Sequence, residues 1–252
     1  MKFFDLTLST AAENLACDEA LLDFFEEHGG NGVLRFWEPK NYFVVVGYGN
    51  HVAAEVNMPA CEAEGIPILR RCSGGGTVLQ GPGCLNYSVV LKIEEHGPLE
   101  SITSANRFIM ERNREAIERE GRRKNADCRI EVRGHTDLAL DPRLSTLDPA
   151  LKFSGNAQRR KKHFLLFHGT FLLNFDLALI DTFLRMPSKE PDYRKGRSHK
   201  KFLANLELPA ETIKKALRES WGAKTLLQSV PHDAIALLAR DKYVTAEWNF
   251  KF

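Results

Sequence analysis

The segment best suited to chemistry is a glycine-rich loop that follows two consecutive arginines, Arg70 and Arg71. Glycine tolerates positive φ and lets a ligand approach bare N–H groups, and a run of such amides favours an anionic group. Because side chains alternate along a strand, we expect Arg71 and Ser73 to face a cleft and Arg70 to point away. The candidate ligand-binding residues of this loop are Arg71, Ser73, Gly74, Gly75, Gly76 and Thr77.

The loop taken alone is not decisive. No Gly-Lys-Ser/Thr follows the glycines, so it is not a Walker A loop, and no helix opens there, so it is not a Rossmann fingerprint. A glycine-rich hairpin with two solvated arginines explains the same residues equally well.

A second group of polar residues surrounds Lys152. Lys152 and Ser154 are expected to share one strand face, with Gly155 giving close backbone access. A lysine inside an apolar strand is costly unless its ammonium is paired, and an anionic ligand would pair it. A solvated lysine on an edge strand is the alternative. His168, beside Gly169, is by itself more often a satisfied core histidine than a ligand.

Together these segments resemble the lipoate–protein ligases, within the wider biotin/lipoate ligase group. The RRxSGGG and KxSGxA…HGT elements are specific in combination, and the resemblance covers almost the whole chain in order. The matching segments are Asn14-Leu-Ala-Cys-Asp-Glu-Ala-Leu-Leu22, Leu34-Arg-Phe-Trp37, Val44-Val-Val-Gly47, Glu55-Val-Asn57, Arg70–Gly76, Lys152-x-Ser-Gly-Asn-Ala157, His168-Gly-Thr170 and Glu247-Trp-Asn-Phe250.

The resemblance implies roles for particular residues. Lys152 is implied to be catalytic, contacting the carboxylate and α-phosphate region, and Asp137 to hold Mg²⁺. The chain departs from the family pattern at three places. Thr136 stands where the family commonly has Asn, Gln80-Gly81 stands where many relatives have His-Asp, and Tyr48 stands where arginine is frequent. We expect these departures to alter the contacts with the nucleotide. Beside the glycine loop, the implied substrate or nucleotide contacts are Asn86, Ser154, Gly155, Ala157, Arg159 and His168.

The implied activity is ATP-dependent ligation, with ATP and Mg²⁺ as cofactors. Lipoate or octanoate would become an acyl-adenylate, and the acyl group would pass to a lysine of an acceptor lipoyl-domain protein or an H-type carrier protein. Such catalysis needs positioning and electrostatic stabilisation and no enzyme nucleophile. Residues 1–252 are expected to form a single catalytic domain. The accessory C-terminal domain of some relatives would be absent or supplied by a separate chain.

Three other functions fit parts of the pattern. An octanoyl or lipoyl transferase would hold the acyl group as a thioester and needs a low-pKa thiol at the cleft, whereas Cys72, Cys84 and Cys128 are expected to be inert. Biotin ligases typically carry a GRGR-type loop, which RRCSGGG is not. A non-catalytic acyl- or nucleotide-binding module would not need both Lys152 and the glycine loop.

Helices and strands that could position these residues are clustered along the chain. This order predicts an α+β fold, with a large mixed or antiparallel sheet, flanking helices and a smaller second sheet, like a biotin/lipoate ligase catalytic domain. A capping box at Thr10 and Glu13 opens the first helix. Helices are predicted over 11–27, 59–64, 102–120, 210–221 and 231–240, and strands over 33–37, 42–47, 66–71, 85–92, 129–132, 137–140, 151–157 and 163–175, the last broken at His168-Gly169, with 141–150 a loop.

The amino-acid composition limits the partners and the cellular compartment that we expect for this protein. Lys plus Arg is 35 and Asp plus Glu is 33, so the net charge of +2 gives no global field for nucleic acid. No apolar run approaches the roughly 20 residues of a membrane helix. The five cysteines are an odd number without a CxxC pair, which predicts reduced thiols in a cytoplasmic protein. We expect neither a nucleic-acid partner nor a membrane.

A basic segment over 193–201 (YRKGRSHKK) has no apolar period. We expect it to depend on a ligand or an acidic lipoyl domain for its order. By resemblance, this region closes over the activated intermediate.

Overall fold

The computed structural model describes residues 1–125, 128–141 and 150–252. Eight strands form a mixed sheet in the order β11-β1-β2-β6-β10-β9-β8-β7, and three form a second sheet in the order β4-β3-β5. The strands are β1 (Lys2–Asp5), β2 (Val33–Trp37), β3 (Phe43–Val46), β4 (Ile68–Arg70), β5 (Val78–Gln80), β6 (Cys84–Lys92), β7 (Ile130–Arg133), β8 (Asp137–Leu140), β9 (Leu151–Arg160), β10 (Phe164–Leu172) and β11 (Thr225–Leu226).

Helices cover both faces of the large sheet. A 3₁₀ turn spans Asp192–Arg194, and a π-helical turn follows α8 at Ala239–Tyr243. The α-helices are α1 (Ala11–His28), α2 (Val52–Glu55), α3 (Met58–Ala63), α4 (Ile102–Lys124), α5 (Ala178–Phe183), α6 (His199–Phe202), α7 (Ala210–Ser220), α8 (His232–Leu238) and α9 (Ala246–Asn249).

Local sequence accounts for the two long helices. Thr10 and Glu13 form the predicted capping box of α1. Ser101 and Ser104 form a reciprocal pair of the same kind at the start of α4. Within the described part of the chain, neither helix nor any other has the length and apolar character to cross a bilayer.

The core is divided between the two faces of the large sheet. On one face, α4 and α7 pack on the phenylalanines of β9 and β10, including Phe153 and Phe171. On the other face, α1, α8 and the inner side of the small sheet share a second cluster that contains Leu21 and Val45. The site residues described below lie on this second face, between the large sheet and the glycine loop that follows β4.

The structure confirms the α+β class with a large mixed sheet and a smaller second sheet. The predicted break at His168-Gly169 is wrong, because β10 runs unbroken and Gly169 pairs with Tyr87 and Asn156. Gly169 is needed there for packing, since a Cβ on it would lie 1.8 Å from Asn156 Oδ1. Most of the predicted 141–150 loop lies outside the described residues.

Candidate functional site

The glycine loop is held by the side chain of its own second arginine. Arg71 Nη2 donates to Gly74 O at 2.5 Å and to Gly76 O at 2.7 Å, and Nε donates to Ser73 Oγ at 3.2 Å. Burial lowers the pKa of Arg71 to about 10, so the guanidinium stays charged at neutral pH. The predicted split is observed, because Arg70 turns away from Arg71 and Ser73 to carbonyls elsewhere.

The three consecutive glycines of the loop, Gly74, Gly75 and Gly76, differ in backbone conformation and in the space around them. Gly75 has φ of +87°, and a Cβ on it would lie 2.9 Å from Arg71 Nη2. Nothing lies within 4 Å of a Cβ placed on Gly74 or Gly76. Gly75 therefore shapes the loop, whereas Gly74 and Gly76 leave bare backbone open to a ligand.

The loop lies over β9 and reaches β10 through Ser73. A Cβ on Gly75 would lie 3.5 Å from Ala157 Cβ, and Ser73 Oγ lies 2.6 Å from His168 Nε2. Because Arg71 Nε donates to the Ser73 oxygen, the Ser73 hydroxyl is free to donate to the imidazole. Burial lowers the pKa of His168 to about 4, so the ring is neutral and accepts that hydrogen bond.

Lys152 lies on the same face of β9. Its Nζ is 2.8 Å from Asp137 Oδ1, and Tyr193 donates to Asp137 Oδ2 at 2.8 Å. Asp137 pairs with Gly155 across the strands, and a Cβ on Gly155 would lie 2.9 Å from Lys152 Nζ. Glycine at 155 thus makes room for the ammonium. Gly155, which contacts Lys152 Nζ, and Ala157, which contacts the loop at Gly75, are two residues apart on β9, a spacing of about 7 Å along a strand.

A β-bulge explains this placement and overturns one prediction. The β8–β9 register shifts between Leu138 and Ala139, so that Ala139 pairs with Lys152 while Leu138 pairs with Ser154. The extra residue turns Lys152 and Gly155 to one face and Ser154 to the other, where it accepts from Asn156. Lys152 and Ser154 therefore do not share a face, and buried Ser154 lies toward the α4 side of the sheet.

Asn86 is occupied within the protein. Gln80 Nε2 donates to Thr170 Oγ1, Thr170 donates to Asn86 Oδ1, and Asn86 Nδ2 donates to Gln80 Oε1, at 2.6, 2.5 and 3.0 Å. This closed ring orients the Asn86 amide, which keeps one further N–H and one further acceptor lone pair, so its predicted ligand contact stays a prediction. Gly81, the other half of the departure from His-Asp, is needed because a Cβ there would lie 2.2 Å from the Tyr42 ring.

The remaining predicted residues lie at the margins of the site. Thr77 Oγ1 accepts from Asn50 Nδ2 at 3.4 Å. Arg159 is exposed and lies two residues beyond Ala157, on the same face of β9. A cavity of about 520 Å³ lies elsewhere, lined by α4 residues that include Phe108 and Arg112, and it contains none of the predicted site residues.

The predicted Mg²⁺ ligand, Asp137, has partners within the protein. Both carboxylate oxygens of Asp137 are engaged, by Lys152 and by Tyr193. Among the described residues, no three His, Cys, Asp or Glu side chains are grouped to hold a metal. In this structure Asp137 is the partner of Lys152, and its contact with Mg²⁺ stays a prediction. A Mg²⁺ ion brought by a nucleotide would be held mainly by phosphates.

The basic segment over 193–201 is ordered by its own contacts, contrary to the prediction. Arg194 is buried, and both Arg194 and Arg197 stack on Phe202 at 4.8 and 5.1 Å from the ring centroid. Arg197 also donates to Ala150 O and Tyr193 O. These cation–π contacts stabilise a segment whose sequence has no apolar period. Tyr193 is held near Asp137 by the hydrogen bond from Arg197 to Tyr193 O and by the Phe202 ring, 5.2 Å away between centroids.

Sequence reasoning missed three residues that shape the site. Tyr193 was predicted only as part of a charged segment, and no local pattern indicates its contact with Asp137. Asn156 exchanges two hydrogen bonds with Thr136, at 2.6 and 2.7 Å, which tie β9 to the turn before Asp137. Asn50 donates to Gly75 O at 3.1 Å. A Gly-Asn turn after β3 was the available signal for Asn50.

The thiols lie away from this arrangement. All five cysteines are among the described residues, and burial is the main cause that raises the pKa of each. The pKa values of Cys17, Cys72 and Cys84 rise to about 12. Cys72 packs into the cluster beneath α1, and Cys128 Sγ lies against Gly121 of α4. The site therefore offers a cation, open amides and a neutral imidazole, but no activated thiol among the described residues.

Comparisons with known proteins agree with this fold and these motifs. Residues 10–220 match the family model described as the lipoyl protein ligase A/B catalytic domain. The chain is 30% identical to octanoyltransferase LipM of Bacillus subtilis strain 168, over 99% of this chain and 98% of that protein. It is 27% identical to lipoate-protein ligase A subunit 1 of Thermoplasma acidophilum, over 94% and 90%.

A solved structure of an archaeal bi-partite lipoate protein ligase and its E2 lipoyl domain, from Thermoplasma acidophilum, superposes with a TM-score of 0.79. The identity is 24%, over 99% of this chain and 96% of that chain. The chain belongs to the lipoyl protein ligase A/B catalytic domain family, as its motifs predicted.

Proposed function

We propose that the protein is a lipoate–protein ligase that activates lipoate or octanoate as an acyl-adenylate. The observation that carries the proposal is a cation, Lys152 in its ion pair with Asp137, on the same strand face as the exposed glycine loop, in a site where the described residues offer no activated thiol. Lys152 faces the same side of β9 as the glycine loop, where Gly74 and Gly76 expose bare backbone. Cations and amides are what a phosphate and a carboxylate require.

The chemistry balances without an enzyme nucleophile. A carboxylate oxygen of the fatty acid attacks the α-phosphorus of ATP, the bond to the β-phosphate oxygen breaks, and pyrophosphate leaves. The amine of an acceptor lysine then attacks the acyl carbon, AMP leaves, and the amine loses its proton. Lys152 would leave Asp137 for the developing negative charge, while Gly74 and Gly76 amides hold phosphate oxygens.

The acceptor is proposed to be a lipoyl-domain protein. Members of the family include proteins named for lipoate ligation and for octanoyl transfer, and the archaeal ligase structure is described together with its E2 lipoyl domain. Exposed Arg159, at the open end of the site face, supplies positive charge that an acidic lipoyl domain would match.

An octanoyltransferase is the second candidate, and the sequence comparisons favour it. Among the relatives described above, LipM has the higher identity and the fuller mutual coverage. A thioester mechanism nevertheless needs a thiolate at the site, and burial raises the pKa of every cysteine in this chain, Cys72 included.

One experiment separates the two candidates. The purified protein is given octanoate or lipoate with ATP and Mg²⁺, or octanoyl-carrier protein without ATP, each with a lipoyl domain. We expect ATP–pyrophosphate exchange and ATP-dependent acylation that survive iodoacetamide. Acylation from the carrier protein alone, abolished by iodoacetamide, would establish the transferase instead, and no acylation under either condition would contradict both.

A further inference from the structure

Arg70 is fully buried and binds three carbonyls of one turn. Its Nη1 lies 2.9 Å from each of the carbonyl oxygens of Gly47, Tyr48 and Asn50, and its Nε donates to Trp248 O at 3.1 Å. This turn follows β3 and lies directly against the glycine loop. Arg70 faces away from the site, but its hydrogen bonds hold the turn that contacts the glycine loop.

The α9 segment holds Arg70 at both backbone groups as well. Trp248 Nε1 donates to Arg70 O at 2.8 Å, and Arg70 N donates to Asn249 Oδ1 at 2.9 Å. The Phe252 ring centroid lies 5.3 Å from the guanidinium carbon. Asn249 Nδ2 donates in turn to Tyr243 O. A residue adjoining the loop is therefore held through its donor, its acceptor and its side chain by residues nearly 180 positions away.

The turn passes this constraint to the loop. Tyr48 N donates to Ser73 O at 2.8 Å, and Asn50 Nδ2 donates to Gly75 O at 3.1 Å. A Cβ on Gly47 would lie 2.0 Å from Gly75 O, so the two backbones are in direct contact. If the turn moved, it would displace the carbonyl groups of Ser73 and Gly75, and with them the backbone amides of the glycine loop.

We propose that Trp248 and Asn249 are positioning residues for the glycine loop, acting through Arg70 and the turn over 47–50. A loop that binds anions through bare amides works only if those amides are preorganised. Arg71 sets the internal shape of the loop, and Arg70, clamped by α9, sets its place over β9. The kinetic consequence rests on the proposed function, whereas the structural consequence does not.

The test compares Trp248→Phe with Glu247→Ala. The first removes the Nε1 donor to Arg70 O and retains an aromatic ring, and the second changes an exposed residue of the same short helix. We expect Trp248→Phe to speed amide hydrogen exchange over 71–77 by about five- to tenfold, the factor that corresponds to one lost hydrogen bond. Exchange in α4 should not change, and Glu247→Ala should leave both regions as they are.

Kinetics and a double-mutant cycle complete the test. Trp248→Phe should raise KM for the fatty acid or ATP about five- to tenfold and change kcat less than twofold. Asn50→Ala, at the far end of the network, should have a similar effect, and the two should be less than additive. Exchange that rises equally in α4, or not at all over 71–77, would overturn the proposal. If the wild-type protein forms no adenylate, the proposed function fails while the exchange result still decides this inference.

Discussion

Lys152 is the residue whose removal tests the site most directly. Lys152→Ala leaves Asp137 with Tyr193 as its remaining partner and removes the cation beside the glycine loop. We expect acyl-adenylate formation to fall by roughly 10²-fold or more, because a preorganised charge is lost from the transition state. ATP–pyrophosphate exchange measures this step.

Lys162→Ala is the matched control, since Lys162 is an exposed lysine of the turn that follows β9. This variant should show the same rate of ATP–pyrophosphate exchange as the wild-type protein. Near-normal turnover of Lys152→Ala would show that the ion pair with Asp137 is only structural.

His168 makes stability depend on pH in a direction that its pKa predicts. The folded pKa of about 4 lies below the unfolded value of 6.5, so the unfolded state binds more protons in this range. The contribution of His168 to the unfolding free energy is fully present above pH 6.5. It is lost as the pH falls toward 4, by up to about 1.4 kcal/mol per pH unit.

His168→Asn should flatten that part of the curve of unfolding free energy against pH, measured by urea denaturation. His96→Asn, at an exposed position with φ of 56°, is the control and should leave the slope unchanged. An identical slope for His168→Asn and wild type would mean that another group titrates.

At the scale of elements, the glycine loop separates shape from ligand access. Gly75→Ala introduces a Cβ at φ +87° beside Arg71 Nη2, so we expect it to lower the unfolding free energy by about 1–2 kcal/mol and to abolish most activity. Thermal unfolding and ATP–pyrophosphate exchange measure the two effects.

Gly74→Ala is the comparison, because its Cβ meets no atom within 4 Å. It should leave stability unchanged and reduce activity only if a ligand approaches the bare backbone there. Unchanged activity in Gly74→Ala would argue against phosphate binding at that amide.

At the scale of the whole molecule, a buried polar cluster joins α1 to the large sheet. Asp18 Oδ1 accepts from Arg35 Nη1 at 2.7 Å and from Ser88 Oγ at 2.8 Å, and Arg35 Nη2 donates to Asn14 Oδ1 at 2.6 Å. Asp18→Ala would leave a fully buried guanidinium without its counter-charge, so we expect a loss of about 3–5 kcal/mol in the unfolding free energy.

Guanidinium denaturation followed by tryptophan fluorescence measures this loss. Glu27→Ala, on the exposed side of α1, should change stability by less than about 0.5 kcal/mol. A similarly small change in Asp18→Ala would show that the cluster relaxes or takes up water.

Features that depend on neighbours in the chain could be predicted from the amino-acid sequence. The Thr10–Glu13 capping box set the start of α1, alternation separated Arg70 from Arg71, and ordered motifs along the chain indicated the family. These predictions succeeded because capping, turn chemistry and strand alternation act over a few residues.

Contacts between side chains far apart in the sequence could not be predicted, because they depend on how the strands and helices pack. A bulge between neighbouring strands moved Ser154 off the face of Lys152, and strand alternation alone does not reveal an inserted residue. Asp137 became the partner of Lys152 and Tyr193 because β8, β9 and the 3₁₀ turn converge, although Tyr193 lies 56 positions from Asp137. Arg70 likewise meets Trp248 across 178 positions, since packing of α9 on the small sheet brings them together.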